Sequence, residues 1–189
     1  MSQQLLRVHQ LLPASQANGP GTRAVIWLQG CTLACPGCFN PQTHPRQAGR
    51  GMTTGRVMSW LTSLAGAIDG LTVSGGEPLQ QMQPLLDLLQ GVHDSLGLPV
   101  ILFTGYTWQE IQAMPQLPRL ARLVDVILAG RYQAENRLAS GLLGSANKTA
   151  HFLTGVYTQA DLDAVPPAEV LIQPDGEMVL SGINPLIWP

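Results

Sequence analysis

The chain has 189 residues, 45% hydrophobic and 12% charged, with ten Lys plus Arg against twelve Asp plus Glu for a net charge of −2. That length and apolar share exclude wholesale disorder and predict one domain over residues 1–189 with a sizeable core. The charge balance offers no broad cationic field for nucleic acid. No apolar run approaches the roughly 20 residues of a membrane span, and the first residues lack a basic start leading into an apolar stretch, so the expected setting is cytoplasmic, away from a membrane.

In chain order, residues 5–12 read as a short strand and 13–22 as a turn-rich loop of Pro, Gly, Asn and Ser. Residues 24–29 (AVIWLQ) form a short apolar run of β-formers, a buried strand that leads directly into a cysteine loop. Trp27 is expected in the core. Apolar residues at helical spacing predict a crossover helix over 53–68, followed by a strand at 70–74, a Gly-Gly-Glu-Pro loop at 75–78 and a helix over 81–96. A strand at 100–104, a short helix at 108–114 and a strand at 124–129 follow. Residues 132–149 read as loop with some helix. Segments 170–172 and 178–180, around Pro174-Asp175-Gly176, predict a hairpin within about 168–182 that closes the sheet. Strands alternating with helices predict an α/β fold with right-handed crossovers and a mostly parallel sheet, its core over about 18–150. Ligands bind such sheets beyond the carboxyl ends of the strands.

Cys31, Cys35 and Cys38 are the only cysteines, spaced Cys-x3-Cys-x2-Cys. Three are too few, and odd in number, for a secreted disulfide framework. A structural zinc site needs four ligands, and His44 can supply the fourth. The same thiolates suit a [4Fe–4S] cluster, normally held by four cysteines, with one iron left open to a further ligand. Gly75 and Gly76 lack a Cβ and let backbone approach a ligand closely, while Glu77 can hold an ammonium group or brace the loop. Arg23 is expected to pair with a loop carboxylate. His9, His93 and His151 have no metal-ligand spacing and read as ordinary surface or core histidines.

Cys-x3-Cys-x2-Cys after one strand with Gly-Gly-Glu-Pro after the next resembles the radical S-adenosylmethionine (SAM) superfamily, in its short activating-protein type. Within it, Asn18-Gly19-Pro20-Gly21-Thr22-Arg23, Gln29-Gly30-Cys31 and Cys35-Pro36-Gly37-Cys38-Phe39-Asn40 resemble segments of the glycyl-radical-enzyme and anaerobic ribonucleotide reductase activases. Thr104-Gly105-Tyr106-Thr107-Trp108 and residues 124–132 (VDVILAGRY) extend the likeness, which runs from about 18 to 148. It implies an incomplete, open (β/α) barrel, shorter than the roughly 250 residues of a closed one. It further implies a [4Fe–4S] cluster on Cys31, Cys35 and Cys38 and reductive cleavage of SAM to a 5′-deoxyadenosyl radical, with no catalytic side chain beyond cluster and SAM.

The cofactor-binding residues implied are Gly75, Gly76, Glu77, Pro78, Phe39, Thr104, Ser145 and Asn147. The implied partners are a glycyl-radical protein, such as an anaerobic ribonucleotide reductase, and an electron donor such as flavodoxin or ferredoxin. For Phe39, simple core burial is the alternative, and for Thr104 an ordinary strand-to-helix turn. Two positions depart from the pattern: Leu143 stands where an Arg is expected, and Ala129 where an Asp is expected before Gly130-Arg131. Two other readings stay open, a radical SAM enzyme acting on a small molecule or peptide, and a non-catalytic iron–sulfur electron carrier.

Overall fold

The computed structural model describes residues 4–172, 176 and 178–183. Strands β1 (Leu5–Ser15) and β2 (Arg23–Leu28) precede the cysteine loop, and β3 (Arg50–Thr53) leads into helix α1 (Thr54–Ser63). Then come β4 (Gly70–Gly75), α2 (Met82–Ser95), β5 (Val100–Thr104), α3 (Trp108–Gln112), α4 (Leu117–Leu120) and β6 (Val126–Ala129). β7 (Thr149–Phe152), α5 (Gln159–Asp163), β8 (Ala168–Ile172) and β9 (Met178–Gly182) complete the order. Among the described residues, no helix is long and apolar enough to cross a membrane.

Seven strands form one sheet in the order β3-β1-β2-β4-β5-β6-β7. The inner four, β2, β4, β5 and β6, pair in parallel, as the alternation of strands and helices predicts. The outer pairs β1–β2, β1–β3 and β6–β7 are antiparallel, so the sheet is mixed, with a parallel centre. The parallel strands are near-continuous apolar runs because both faces are covered. Leu102 and Ile127 point to the face packed by α1 and α2, where Leu85, Leu88, Leu89 and Val92 form the buried stripe of α2. Their neighbours Ile101, Val126 and Leu128 point to the other face, against Leu142, Leu162 and Val165.

Several boundaries differ from the sequence expectation. β1 continues through Pro13 to Ser15, crossing a register shift after Leu12 that accommodates the proline. α1 ends at Ser63, and Gly66 beyond it takes a positive φ of 83° that helix does not allow. The edge strands β3 and β7 and the short helices α4 and α5 were not anticipated, being only four or five residues each. The hairpin forms, but β8 and β9 make a separate two-stranded sheet and do not close the main one. Its predicted turn at Pro174-Asp175 lies outside the described residues. It is docked through Glu169, whose carboxylate accepts from Ser15 Oγ and from the Gln16 amide (2.8 Å), and through Asn18 Nδ2, which donates to Ser181 Oγ (2.6 Å).

At the amino end of β2, Arg23 is fully buried. Among the described residues it pairs with no carboxylate, contrary to expectation. Nε donates to Thr72 Oγ1 (2.7 Å), Nη2 to the carbonyls of Leu71 (2.6 Å) and Pro99 (3.0 Å), and Nη1 to Tyr157 Oη (2.6 Å) and the Pro20 carbonyl (3.3 Å). Five donors thus tie the 18–22 loop, β4 and the start of β5 together.

Candidate metal and ligand site

The cysteine loop leaves the carboxyl end of β2, where the parallel strands of the sheet all finish. The chain turns at Gly30 (φ 101°), whose amide donates to the Thr43 carbonyl (2.7 Å), while the Cys31 amide donates to the His44 carbonyl (3.1 Å). Gln29 holds the return of the loop: Nε2 donates to the carbonyls of Gln42 (3.1 Å) and Pro45 (2.9 Å), and Oε1 meets His9 Nδ1 at 2.8 Å. Between these anchors the backbone is contorted, with positive φ at Ala34 (48°) and Gly37 (67°) and a turn closed by the Cys38 amide on the Cys35 carbonyl (3.2 Å). All three cysteines are free and half-buried. Burial pushes the Cys31 and Cys38 thiols above their ordinary value.

The Gly-Gly-Glu-Pro loop leaves the neighbouring strand β4. The Gly76 amide donates to the Leu28 carbonyl (2.7 Å) and the Glu77 amide to the Gly30 carbonyl (2.9 Å). A Cβ on Gly75, at φ 107°, would overlap the Leu28 backbone, and one on Gly76 would overlap the Gly30 carbonyl. The close approach that demands glycine here is therefore to the root of the cysteine loop. Glu77 is fully buried and braces this junction. Its Oε1 accepts from the Leu79 amide (2.9 Å) and Thr104 Oγ1 (2.8 Å), and its Oε2 from the Gly105 amide (2.7 Å). Burial pushes its pKa up, and these hydrogen bonds and the Lys148 charge oppose the shift.

The two loops enclose a cavity of about 290 Å³ lined by Cys31, Cys35, Cys38, Phe39, Gly75, Gly76 and Glu77. Phe39 is half-buried, 4.3 Å from the Tyr132 ring centroid. The other implied residues do not line the cavity. Pro78 is buried, Thr104 holds Glu77, Ser145 is fully buried, and Asn147 is exposed, donating to the Arg131 carbonyl (2.8 Å). Of the two departures, Leu143 lines the cavity while Ala129 is buried in β6.

Sequence reasoning missed other walls. Trp27, expected in the core, is half-buried and lines the cavity, as does His9, expected to be an ordinary histidine, and Val179 to Gly182 of the hairpin form part of its rim. Lys148 was missed altogether because 132–149 read as loop. β6 and β7 pair antiparallel with Ala129 opposite Thr149, so the residue just before β7 must sit where β6 ends, at the carboxyl face.

No group of three or more His, Cys, Asp or Glu side chains among the described residues could share one metal ion. His44 and the cysteines therefore do not form a ready tetrahedral shell of the kind a single zinc needs. A cubane asks for something different, since each thiolate binds a different iron. Three free thiols around one cavity fit that donor set.

An α/β sheet with a three-thiol loop at its carboxyl ends defines a protein of the iron–sulfur kind. The 4Fe-4S single cluster domain family matches residues 17–151. An anaerobic ribonucleoside-triphosphate reductase-activating protein of Salmonella typhi is 30% identical over 155 residues, covering 78% of this chain and 99% of its own. Proteins of the same name from Vibrio cholerae (31% over 157 residues, 79% and 99%) and Enterobacteria phage T4 (33% over 128 residues, 66% and 80%) are also similar. The chain belongs to the 4Fe-4S single cluster domain family and to the anaerobic ribonucleoside-triphosphate reductase-activating proteins.

Proposed function

We propose that this chain is a radical SAM activase that holds a [4Fe–4S] cluster on Cys31, Cys35 and Cys38 and acts on a glycyl-radical anaerobic ribonucleotide reductase. The observation that carries the reading is the convergence of the three thiols and the Gly75-Gly76-Glu77 loop on one cavity at the carboxyl ends of parallel strands. The names of the relatives support the reductase as partner. Held on Cys31, Cys35 and Cys38, a [4Fe–4S] cluster would supply the electron for reductive cleavage of SAM. The chain's own contribution is to fix the two loops against each other through Gly75, Gly76 and Glu77, and to line the space beside the thiols with Phe39 and Trp27. We read the open parallel sheet as an incomplete (β/α) barrel, a flavodoxin or ferredoxin as reductant, and the cytoplasm as its setting.

The cavity volume favours a substrate presented from outside. About 290 Å³ lies at the small end of ligand pockets, roughly 300–1,000 Å³, and the cavity is open to solvent rather than closed over. A protein loop reaching the rim meets that constraint. The test is anaerobic reconstitution with iron and sulfide, then incubation with SAM and dithionite and mass-spectrometric assay of 5′-deoxyadenosine. The expected result is production in the native chain, abolished in the Cys31→Ala/Cys35→Ala/Cys38→Ala variant. A reconstituted cluster that cleaves no SAM above that control would sink the reading in favour of an electron carrier.

A further inference from the structure

Lys148 is the only Lys or Arg lining the cavity among the described residues. It is half-buried just ahead of β7, and the loop that carries it is fastened on both sides. The Lys148 amide donates to the Ser145 carbonyl (3.2 Å), the Ala146 amide to the Asn136 carbonyl (2.8 Å), and the Gln133 amide to Ser145 Oγ (3.5 Å). Its backbone also packs against Gly130 at the end of β6, where a Cβ on the glycine would come within 3.3 Å of the Lys148 Cα. The position is therefore set by the main sheet.

The ammonium has no hydrogen bond or ion pair among the described residues. The charges that act on it are those of Cys35, Glu77 and Cys38. Glu77 is already occupied by three donors. Other cations near the site are engaged elsewhere: Arg131 pairs with Glu110 and donates to the Gly105 carbonyl (2.7 Å), and Arg46 Nη2 donates to Gln80 Oε1 (3.3 Å). A half-buried lysine without a protein partner is left free to pair with an anion that enters the cavity.

We propose that Lys148 is the countercharge of the cluster bound by the three cysteines and sets its reduction potential. This rests on the cluster reading above. Three thiolates outweigh the charge of an oxidised cubane core, so the assembly is anionic and each added electron makes it more so. The potential of an iron–sulfur cluster follows net charge, nearby charge and burial. In the step concerned, the oxidised cluster takes up one electron from an external low-potential reductant. No bond forms or breaks, and Lys148 keeps its proton. A fixed ammonium in a partly dehydrated cavity favours the more negative, reduced form. Lys148 is thus a positioning charge rather than a catalytic residue.

The test is a potentiometric titration of the reconstituted full-length chain without SAM, dithionite being the reductant and electron paramagnetic resonance the readout. It compares the native chain with Lys148→Met, Lys148→Gln and Lys148→Arg, with iron content and circular dichroism measured in parallel. The charge-removing variants should bind the same iron yet reduce about tenfold less favourably, which for a one-electron couple is a midpoint about 59 mV lower. Arg should restore most of the native value. A native midpoint in both neutral variants, with clusters intact, overturns the proposal. So does an unchanged midpoint with SAM affinity weakened in a separate equilibrium-binding measurement on the same variants, which would assign the ammonium to the ligand instead. Loss of the cluster only in the charge-removing variants would make Lys148 an assembly residue and also overturn it. A native chain that takes up no cluster at all overturns this proposal together with the reading it rests on.

Discussion

The two ends of β2 put the same strand to opposite uses. At its amino end the buried Arg23 guanidinium spends all five donors on one hydroxyl, three carbonyls and a phenol. At its carboxyl end, beginning three residues on from Leu28, the chain leaves three thiols free and, across the cavity, one ammonium that has no partner among the described residues. A fully satisfied polar network rigidifies, whereas unsatisfied polar groups mark where a ligand is awaited. Stability is concentrated at one end of the parallel strands and chemical capacity at the other.

The largest effect expected on breaking this contrast is at Arg23. Arg23→Met removes every donor while leaving the buried Thr72 hydroxyl and the Leu71 carbonyl without that partner, and should cost about 3–5 kcal/mol in chemical denaturation. The cysteines should still bind iron in whatever fraction stays folded, because none of Arg23's hydrogen bonds reaches the cysteine loop. A loss of iron binding well beyond the loss of folded protein would show that the two ends are not separable.

Gly75→Ala probes the other end. A side chain at φ 107° is strained, and its Cβ would overlap the Leu28 backbone, so the Gly-Gly loop must move off the root of the cysteine loop. The expected cost is about 2–4 kcal/mol. Unlike the Arg23 change, it should also lower iron retained per folded chain on reconstitution. Equal iron stoichiometry with the native chain would mean that the Gly-Gly loop does not position the thiols.

The smallest effect belongs to the surface flank of the site, where Arg131 bridges to Glu110 in the first turn of α3. The Arg131 guanidinium holds the Glu110 carboxyl down at about 2, well below its ordinary 4.5. Because the folded value is the lower one, the pair's contribution is full above about 4.5 and fades as pH falls through about 2. Both side chains are substantially exposed, so screening limits that contribution to about 0.5 kcal/mol. Glu110→Gln should therefore shift the midpoint of urea unfolding slightly at pH 7 and leave it unchanged near pH 2. A shift of equal size at both values would assign the effect to helix capping instead of charge.

Much of this architecture can be read from the residues in order. The strand at 100–104 coincides with β5, and α2 falls within one residue of its predicted span, because the first is an unbroken apolar run and the second keeps a helical period over its whole length. The edge strands β3 and β7 lack that signal: each is four residues long and only half covered, so pairing rather than pattern makes them strands. The role of Thr104 was invisible for a related reason. Its hydroxyl meets Glu77, 27 positions earlier, only because β4 and β5 lie side by side.

The sequence by itself determined the α/β class, the three-thiol loop after β2 and the Gly-Gly-Glu turn after β4, since these depend on composition, period and covalent spacing. Tertiary structure alone decided that the glycines serve the approach of two loops, that the hairpin rims the cavity instead of closing the sheet, and that Lys148 lines the same cavity as the thiols. Those outcomes follow from which strand ends are brought together, and strand pairing across tens of residues is set by burial of the whole sheet rather than by any local stretch of chain.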